Sequence, residues 1–296
     1  SPEFRHQVEA VARRFAQRRG SALAVHGVGG NIGDVAAPLV TGFLLVFLSW
    51  QGILKFYAVI PLFLTFVVFW SFRDLGRFGG PAQETEKPDL SSQVAQTKVL
   101  LRNPKLWAIT LAAGVRGMAF VSFVTFLPLY LHDELALSVQ SRGLHLSLLV
   151  LVGILFTPMM GYVSDRVGRK VVLIPGMILL GVLTLLLVPY GQGIGMIILL
   201  VGLGTFLYSD QPILTAAALD TAGGDVAATT LGVMSFSRFL LSAAAAPIGG
   251  IFYEISPDRV FIYIAVLFAI AIGILLFTPM PKQSKEQEEL PQGNIP

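Results

Sequence analysis

Long apolar runs recur along this chain, separated by short stretches that hold most of its charged residues. A helix that crosses a bilayer needs about 20 predominantly apolar residues. Runs of that order predict eight spanning helices, at about 22–48, 53–73, 105–131, 143–163, 171–189, 194–219, 226–252 and 259–280. Helices that are apolar all round read as buried or lipid-facing, so the helical period within each run adds little. Residues 74–104 interrupt the series with Pro81, Glu84, Glu86, Pro88 and Ser91-Ser92, and predict a long polar cytoplasmic loop between two bundles. Beyond the last span, residues 282–296 are charged and Pro-flanked, which predicts a disordered cytoplasmic tail.

Composition agrees. Of 296 residues, 54% are hydrophobic and 13% charged, and the mean hydropathy is +0.72. A soluble domain of this size could not keep so much apolar surface from water. With no cysteine, disulfides, thiolate metal sites and cysteine nucleophiles drop out. Neither His-Glu-x-x-His, nor Gly-x-Ser-x-Gly, nor a phosphate-binding Gly-x-x-x-x-Gly-Lys run is present. Hydrolase and ATP-driven pump readings therefore lack their residues, and neither enzyme, cofactor nor metal is expected.

The positive charges lie unevenly about the predicted spans. Place the N-terminal segment, the 74–104 loop, the stretch 161–170 and the tail in the cytoplasm. That side then holds sixteen basic residues: Arg5, Arg13, Arg14, Arg18, Arg19, Arg73, Arg77, Lys87, Lys98, Arg102, Lys105, Arg166, Arg169, Lys170, Lys282 and Lys285. The other side holds three, Lys55, Arg142 and Arg259. Such a bias predicts a multi-pass protein of a plasma (inner) membrane with both ends of the chain cytoplasmic. It also makes the basic pI a matter of topology, with the lipid bilayer and not nucleic acid as the partner. Residues 1–21, with five arginines against Glu3 and Glu9, read as a basic cytoplasmic connection at the membrane surface.

Four charged residues fall near the middle of predicted spans: Asp34, Arg116, Asp210 and Arg238. At 1.5 Å per residue each lies roughly 14–18 Å from the cytoplasmic end of its helix, near the middle of the hydrocarbon. Inserting each costs about 2.5–3.5 kcal/mol, so each should face a cavity or a partner. Two acids and two bases at one level suggest a charge-balanced substrate and proton site. The alternative is a set of structural ion pairs. A buried Asp34 can carry a proton. Arg116 and Arg238 suit an anionic group. Asp210 is either a second proton site or the partner of one of the arginines.

Gly161 to Lys170 reads Gly-Tyr-Val-Ser-Asp-Arg-Val-Gly-Arg-Lys, a polar island between two apolar runs. Gly-x-x-x-Asp-Arg-x-Gly-Arg-Lys resembles the signature loop of the major facilitator superfamily of secondary transporters. Gly161 and Gly168 would let the backbone turn tightly and let neighbouring helices approach. The resemblance implies a gating role for Asp165, which would meet the positive N-terminal end of a helix near Gly20-Ser21. Arg166, Arg169 and Lys170 would either pair specifically or serve as topological charge.

The ends of the two halves also look alike. Ala22-Leu23-Ala24-Val25 is followed by Ala37-Pro38 and Gly42, and Thr230-Leu231-Gly232-Val233 by Ala246-Pro247 and Gly249-Gly250. Repeats of six helices build the two halves of facilitator transporters. The resemblance therefore implies an all-α membrane protein whose eight transmembrane helices equal the last eight of a twelve-helix fold. Residues 22–73 would be the last two helices of the N-terminal bundle, and 105–281 a complete six-helix C-terminal bundle. The expected parent is a transporter of roughly 400 residues, because four further spans need about 100; a self-contained eight-helix protein is the alternative.

Gly33-x-x-x-Ala37-Pro38-x-x-Thr41-Gly42 resembles the antiporter motif of the family's fifth helix, with Ala37 and Thr41 in place of two glycines. Thr125-Phe126-Leu127-Pro128-Leu129-Tyr130-Leu131 resembles a helix ending found in drug and metabolite exporters akin to fosmidomycin-resistance proteins. The function these resemblances imply is secondary active transport of a small organic solute by alternating access, as proton-coupled export. Proton-coupled uptake of an organic anion or sugar phosphate is one alternative. A non-transporting scaffold or inactive fragment is another. The expected partners are a small-molecule substrate and protons, with no obligate protein partner.

Overall fold

The computed structural model describes residues 37–72, 102–222 and 226–280. Among them run nine helices: α1 (Trp50–Phe72), α2 (Pro104–Asp133), α3 (Val139–Val167), α4 (Arg169–Tyr190), α5 (Gly193–Leu207), α6 (Asp210–Ala222), α7 (Ala227–Ser242), α8 (Ala245–Ile255) and α9 (Pro257–Phe277). Residues 37–44 form a further helical stretch that leads through a turn to α1. Seven segments of the described residues are long and apolar enough to cross a membrane. They coincide with the last seven predicted spans. The first span, 22–48, lies mostly outside the described residues, as do the 74–104 loop and the tail.

Two of the seven segments are not single helices. Gly193–Ala222 breaks at Tyr208-Ser209 into α5 and α6, and Thr229–Ile255 breaks at Ala243-Ala244 into α7 and α8. Both breaks share one feature, a proline four residues on. Proline has no N–H to donate, and its ring collides with the carbonyl four residues back. Pro212 stands four residues after Tyr208, and Pro247 four after Ala243. The runs 194–219 and 226–252, expected as continuous helices, are therefore interrupted in their interiors.

The helix ends follow local chemistry. Asn103 caps α2, its Oδ1 accepting from the N–H of Lys105 at 3.0 Å and of Leu106 at 3.4 Å, with Pro104 at the first helical position, where no N–H is needed. Between α3 and α4 the expected loop is almost absent. Helix α3 continues through Val167 and α4 begins at Arg169, so Gly168 alone makes the junction at φ +105. Gly161 lies inside α3, and a Cβ there would meet nothing within 4 Å among the described residues. The tight turn rests on Gly168 and not on Gly161.

Helix α2 is the centre of the bundle. Of its most apolar window 72% is buried, against 6% for α1. It packs on α9 and α7 along most of its length, and on α6 and α8 nearby. Phe123, Leu127 and Leu131 of α2 are fully buried with Phe261 and Phe268 of α9, and the Tyr130 and Phe261 rings meet edge to face at 4.9 Å. Helices α3, α4 and α5 complete the packing. Large apolar side chains left outside, such as Ile194, Leu155 and Phe277, suit a hydrocarbon surround.

The 37–44 stretch touches this bundle at one close crossing. A Cβ on Gly42 would lie 3.2 Å from the Val139 carbonyl oxygen and 3.4 Å from the Gly143 Cα, and one on Gly143 would lie 2.8 Å from the Pro38 carbonyl oxygen. Two glycines let the backbones meet directly. Thr41 Oγ1 and the Tyr57 hydroxyl, 2.8 Å apart, tie the stretch to α1.

Candidate functional site

The break between α5 and α6 builds the first part of the site. Ending α5 at Leu207 leaves the Leu207 carbonyl without a continuing helical partner. Arg116 of α2 donates to it through Nη2. The same guanidinium grips Asp210, the first residue of α6, through Nε to Oδ2 at 2.5 Å and Nη2 to Oδ1. Arg116 and Asp210 are 3% and 0% exposed, so the two charges neutralise each other away from solvent. Two-point geometry of this kind is what a guanidinium offers a carboxylate.

Aromatic rings hold the pair in place. The Arg116 guanidinium carbon lies 4.9 Å from the centre of the Phe120 ring, one turn along α2. Phe120 meets Tyr208 edge to face at 5.4 Å. Tyr208 presses on Gly153 of α3, where a Cβ would come within 2.4 Å of its ring. A line of contacts thus runs from α3 through the break to Arg116.

Arg238 of α7 is placed by a second glycine. A Cβ on Gly117 would lie 2.7 Å from Arg238 Cγ and 3.2 Å from Ser242 Oγ, so only glycine lets α7 sit this close to α2. The half-buried Arg238 guanidinium rests 4.8 Å over the Phe239 ring. Among the described residues no carboxylate forms an ion pair with it. Arg116, Phe120, Tyr208, Gln211, Arg238, Phe239 and Ser242 together line a cavity of about 330 Å³.

Two of the four ionisable residues expected at midspan, Arg116 and Arg238, therefore line one cavity, and a third, Asp210, is bound to Arg116. Arg116 and Asp210 form an ion pair, and Arg238 stands beside them. Asp34 and Gly33 lie outside the described residues, while Ala37, Pro38 and Gly42 belong to the stretch that crosses α3. The polar island lies at the far end of α3. There Asp165 pairs with Arg169, and Arg169 reaches Ser164 Oγ at 3.1 Å and Asp220 Oδ2 at 3.1 Å. Arg166 stacks on Tyr162 at 4.4 Å. Lys170 caps the end of α9, donating to the Leu276 carbonyl at 2.7 Å and the Thr278 carbonyl at 3.2 Å. The expected meeting of Asp165 with Gly20-Ser21 lies outside the described residues.

Sequence reasoning missed Phe120, Gly117 and Asp220. The four-residue spacing of Phe120 from Arg116 was a usable signal for helical neighbours. Nothing local pointed to Asp220, which lies 51 residues from Arg169.

Comparison with known proteins completes this picture. The sequence profile described as the Major Facilitator Superfamily matches residues 8–247 and, in an overlapping match, 133–296. The chain belongs to the Major Facilitator Superfamily. This facilitator chain is 26% identical to the glycerol-3-phosphate transporter of Bacillus subtilis over 77% of its own length and 56% of the relative's. It is also 26% identical to the uncharacterized MFS-type transporter YfnC of Bacillus subtilis, over 92% of its own length and 65% of that protein's. A probable nitrate transporter of Staphylococcus epidermidis shares 26% identity over 54% of this chain and 38% of the relative. The facilitator chain thus spans less than two thirds of the length of each of these relatives. Family and helices together make it a multi-pass integral membrane protein of a transporter family.

Proposed function

We propose that this chain forms part of a secondary active transporter that carries a small anion across the membrane by alternating access. The observation that carries this reading is Arg238. Its guanidinium lines the cavity and, among the described residues, has no carboxylate in ion-pair reach, whereas Arg116 beside it is neutralised by Asp210. A permanently charged, partly desolvated guanidinium is stabilised by an anion, and its planar fork suits carboxylate or phosphate. A relative named for glycerol 3-phosphate and one named for nitrate support the same solute class.

Proton-coupled export is the reading we attach to direction. The close crossing of Gly42 on Gly143 supports it, because the antiporter-like motif calls for small residues packed against a neighbouring helix. A scaffold without transport activity would tolerate loss of Arg238.

The test is solute exchange in proteoliposomes holding the purified chain, loaded with labelled glycerol 3-phosphate or nitrate. Wild-type protein should exchange at least one of these faster than empty vesicles, and Arg238→Gln should abolish the difference. Equal exchange by wild type and Arg238→Gln would overturn the anion reading. An imposed pH gradient, inside acid or inside alkaline, then reads the direction.

A further inference from the structure

Two polar atoms in the same cavity take no part in the ion pair. The side-chain oxygen of Gln211 and the hydroxyl of Ser242 are both buried, and among the described residues neither has a hydrogen-bond partner. Gln211 follows Asp210 in α6, so the proline break that presents Asp210 to Arg116 also sets Gln211 at the cavity wall. Ser242 lies one turn after Arg238 on α7, and both rest against Gly117. A cation and two unpaired polar atoms therefore line one small space.

Their chemistry is not redundant. A guanidinium only donates, and a carboxamide oxygen only accepts. The oxygens of an anion can accept from Arg238 but offer nothing to the Gln211 oxygen. A hydroxyl on the solute can donate to Gln211 and accept from Ser242 in the same pose. A solute without one leaves Gln211 buried and unpaired in the complex, which is costly.

From this, and resting on the anion reading above, we infer that Gln211 and Ser242 form a hydroxyl-reading subsite beside Arg238. The preferred solute is a small anion that carries at least one hydroxyl group, such as a polyol phosphate or a hydroxy acid. A bare oxyanion such as nitrate is a poor ligand. A cavity of about 330 Å³ is at the small end of ligand sites, in keeping with a solute of a few carbons. Sites built to hydrogen-bond a hydroxyl discriminate strongly against the analogue that lacks it.

Matched ligand pairs test this on the purified chain in detergent. Dissociation constants are measured by titration calorimetry for glycerol 3-phosphate against propyl phosphate, lactate against propionate, and nitrate alone. The phosphate and carboxylate pairs separate the two sources of negative charge. In at least one pair the hydroxylated member should bind about tenfold tighter or more, with nitrate weaker still. Gln211→Leu should erase that preference, while Arg238→Gln should weaken both members. Equal wild-type affinity within both pairs, with Arg238→Gln weakening all, would overturn the subsite and leave the anion reading standing. No measurable binding, or binding indifferent to Arg238→Gln, would overturn both. The wild-type comparison needs no variant, so it decides the matter even where Gln211→Leu fails to fold.

Discussion

Arg116 and Asp210, 94 residues apart in the chain, close a two-point ion pair across the break between α5 and α6. The pair joins the central helix to one of the two breaks, and Arg116 also satisfies the Leu207 carbonyl freed there. Removing one partner strands a buried charge, which typically costs about 3–5 kcal/mol. Asp210→Asn, nearly isosteric, should therefore lower the thermal midpoint in detergent by several degrees. Adding Arg116→Gln to that variant should restore much of the loss, and a double variant less stable than either single one would refute the coupling.

Gly117 sets the spacing of α7 on α2. A methyl group there would stand 2.7 Å from Arg238 Cγ, close to the stem of the side chain, so the whole side chain must move. Gly117→Ala should reduce anion affinity about tenfold or more through misplacement of Arg238. Helix propensity favours alanine by about 1 kcal/mol, which should offset part of the packing cost. Unaltered dissociation constants in the variant would show that α7 can shift without disturbing the site.

Gly168 is the sole residue between α3 and α4 and holds φ at +105. An alanine there is strained whatever space surrounds it. Gly168→Ala should destabilise the protein by about 1–3 kcal/mol. Thermal unfolding checks this, and an unchanged midpoint would show that the junction can take an ordinary conformation.

Arg169 reaches Asp165, Ser164 and Asp220 with one guanidinium. A lysine keeps the charge but cannot fork among three acceptors. Since Asp165 is 56% and Asp220 33% exposed, solvent screens these contacts. Arg169→Lys should then cost no more than about 1 kcal/mol globally. Its clearer signature should be faster proteolysis at the α3–α4 and α6 ends. Identical cleavage rates would reduce Arg169 to topological charge.

Much of the molecule was legible without coordinates, and the reasons are local. A bilayer demands about 20 apolar residues per span, and a run such as 171–189 declares itself through composition alone. The Gly161–Lys170 stretch carried the family through an order of residues that needs no folding to be read. The two breaks were not legible in this way: Pro212 and Pro247 stand just after them, but Pro128, Pro158 and Pro175 lie within helices that continue.

What the sequence could not supply was pairing. Asp210 had two arginines as possible partners, and the choice of Arg116 over Arg238 rests on how α2 and α7 approach the broken helix. That approach is set by glycines whose role appears only at contact: Gly117 beneath Arg238, and Gly153 beneath Tyr208. Spans and the placing of charges between them follow from each residue's own preference for water or oil, and the sequence by itself determined them. Tertiary structure decided which arginine Asp210 neutralises and which has no carboxylate partner among the described residues, because ion pairing depends on distances between helices that the order of residues does not contain.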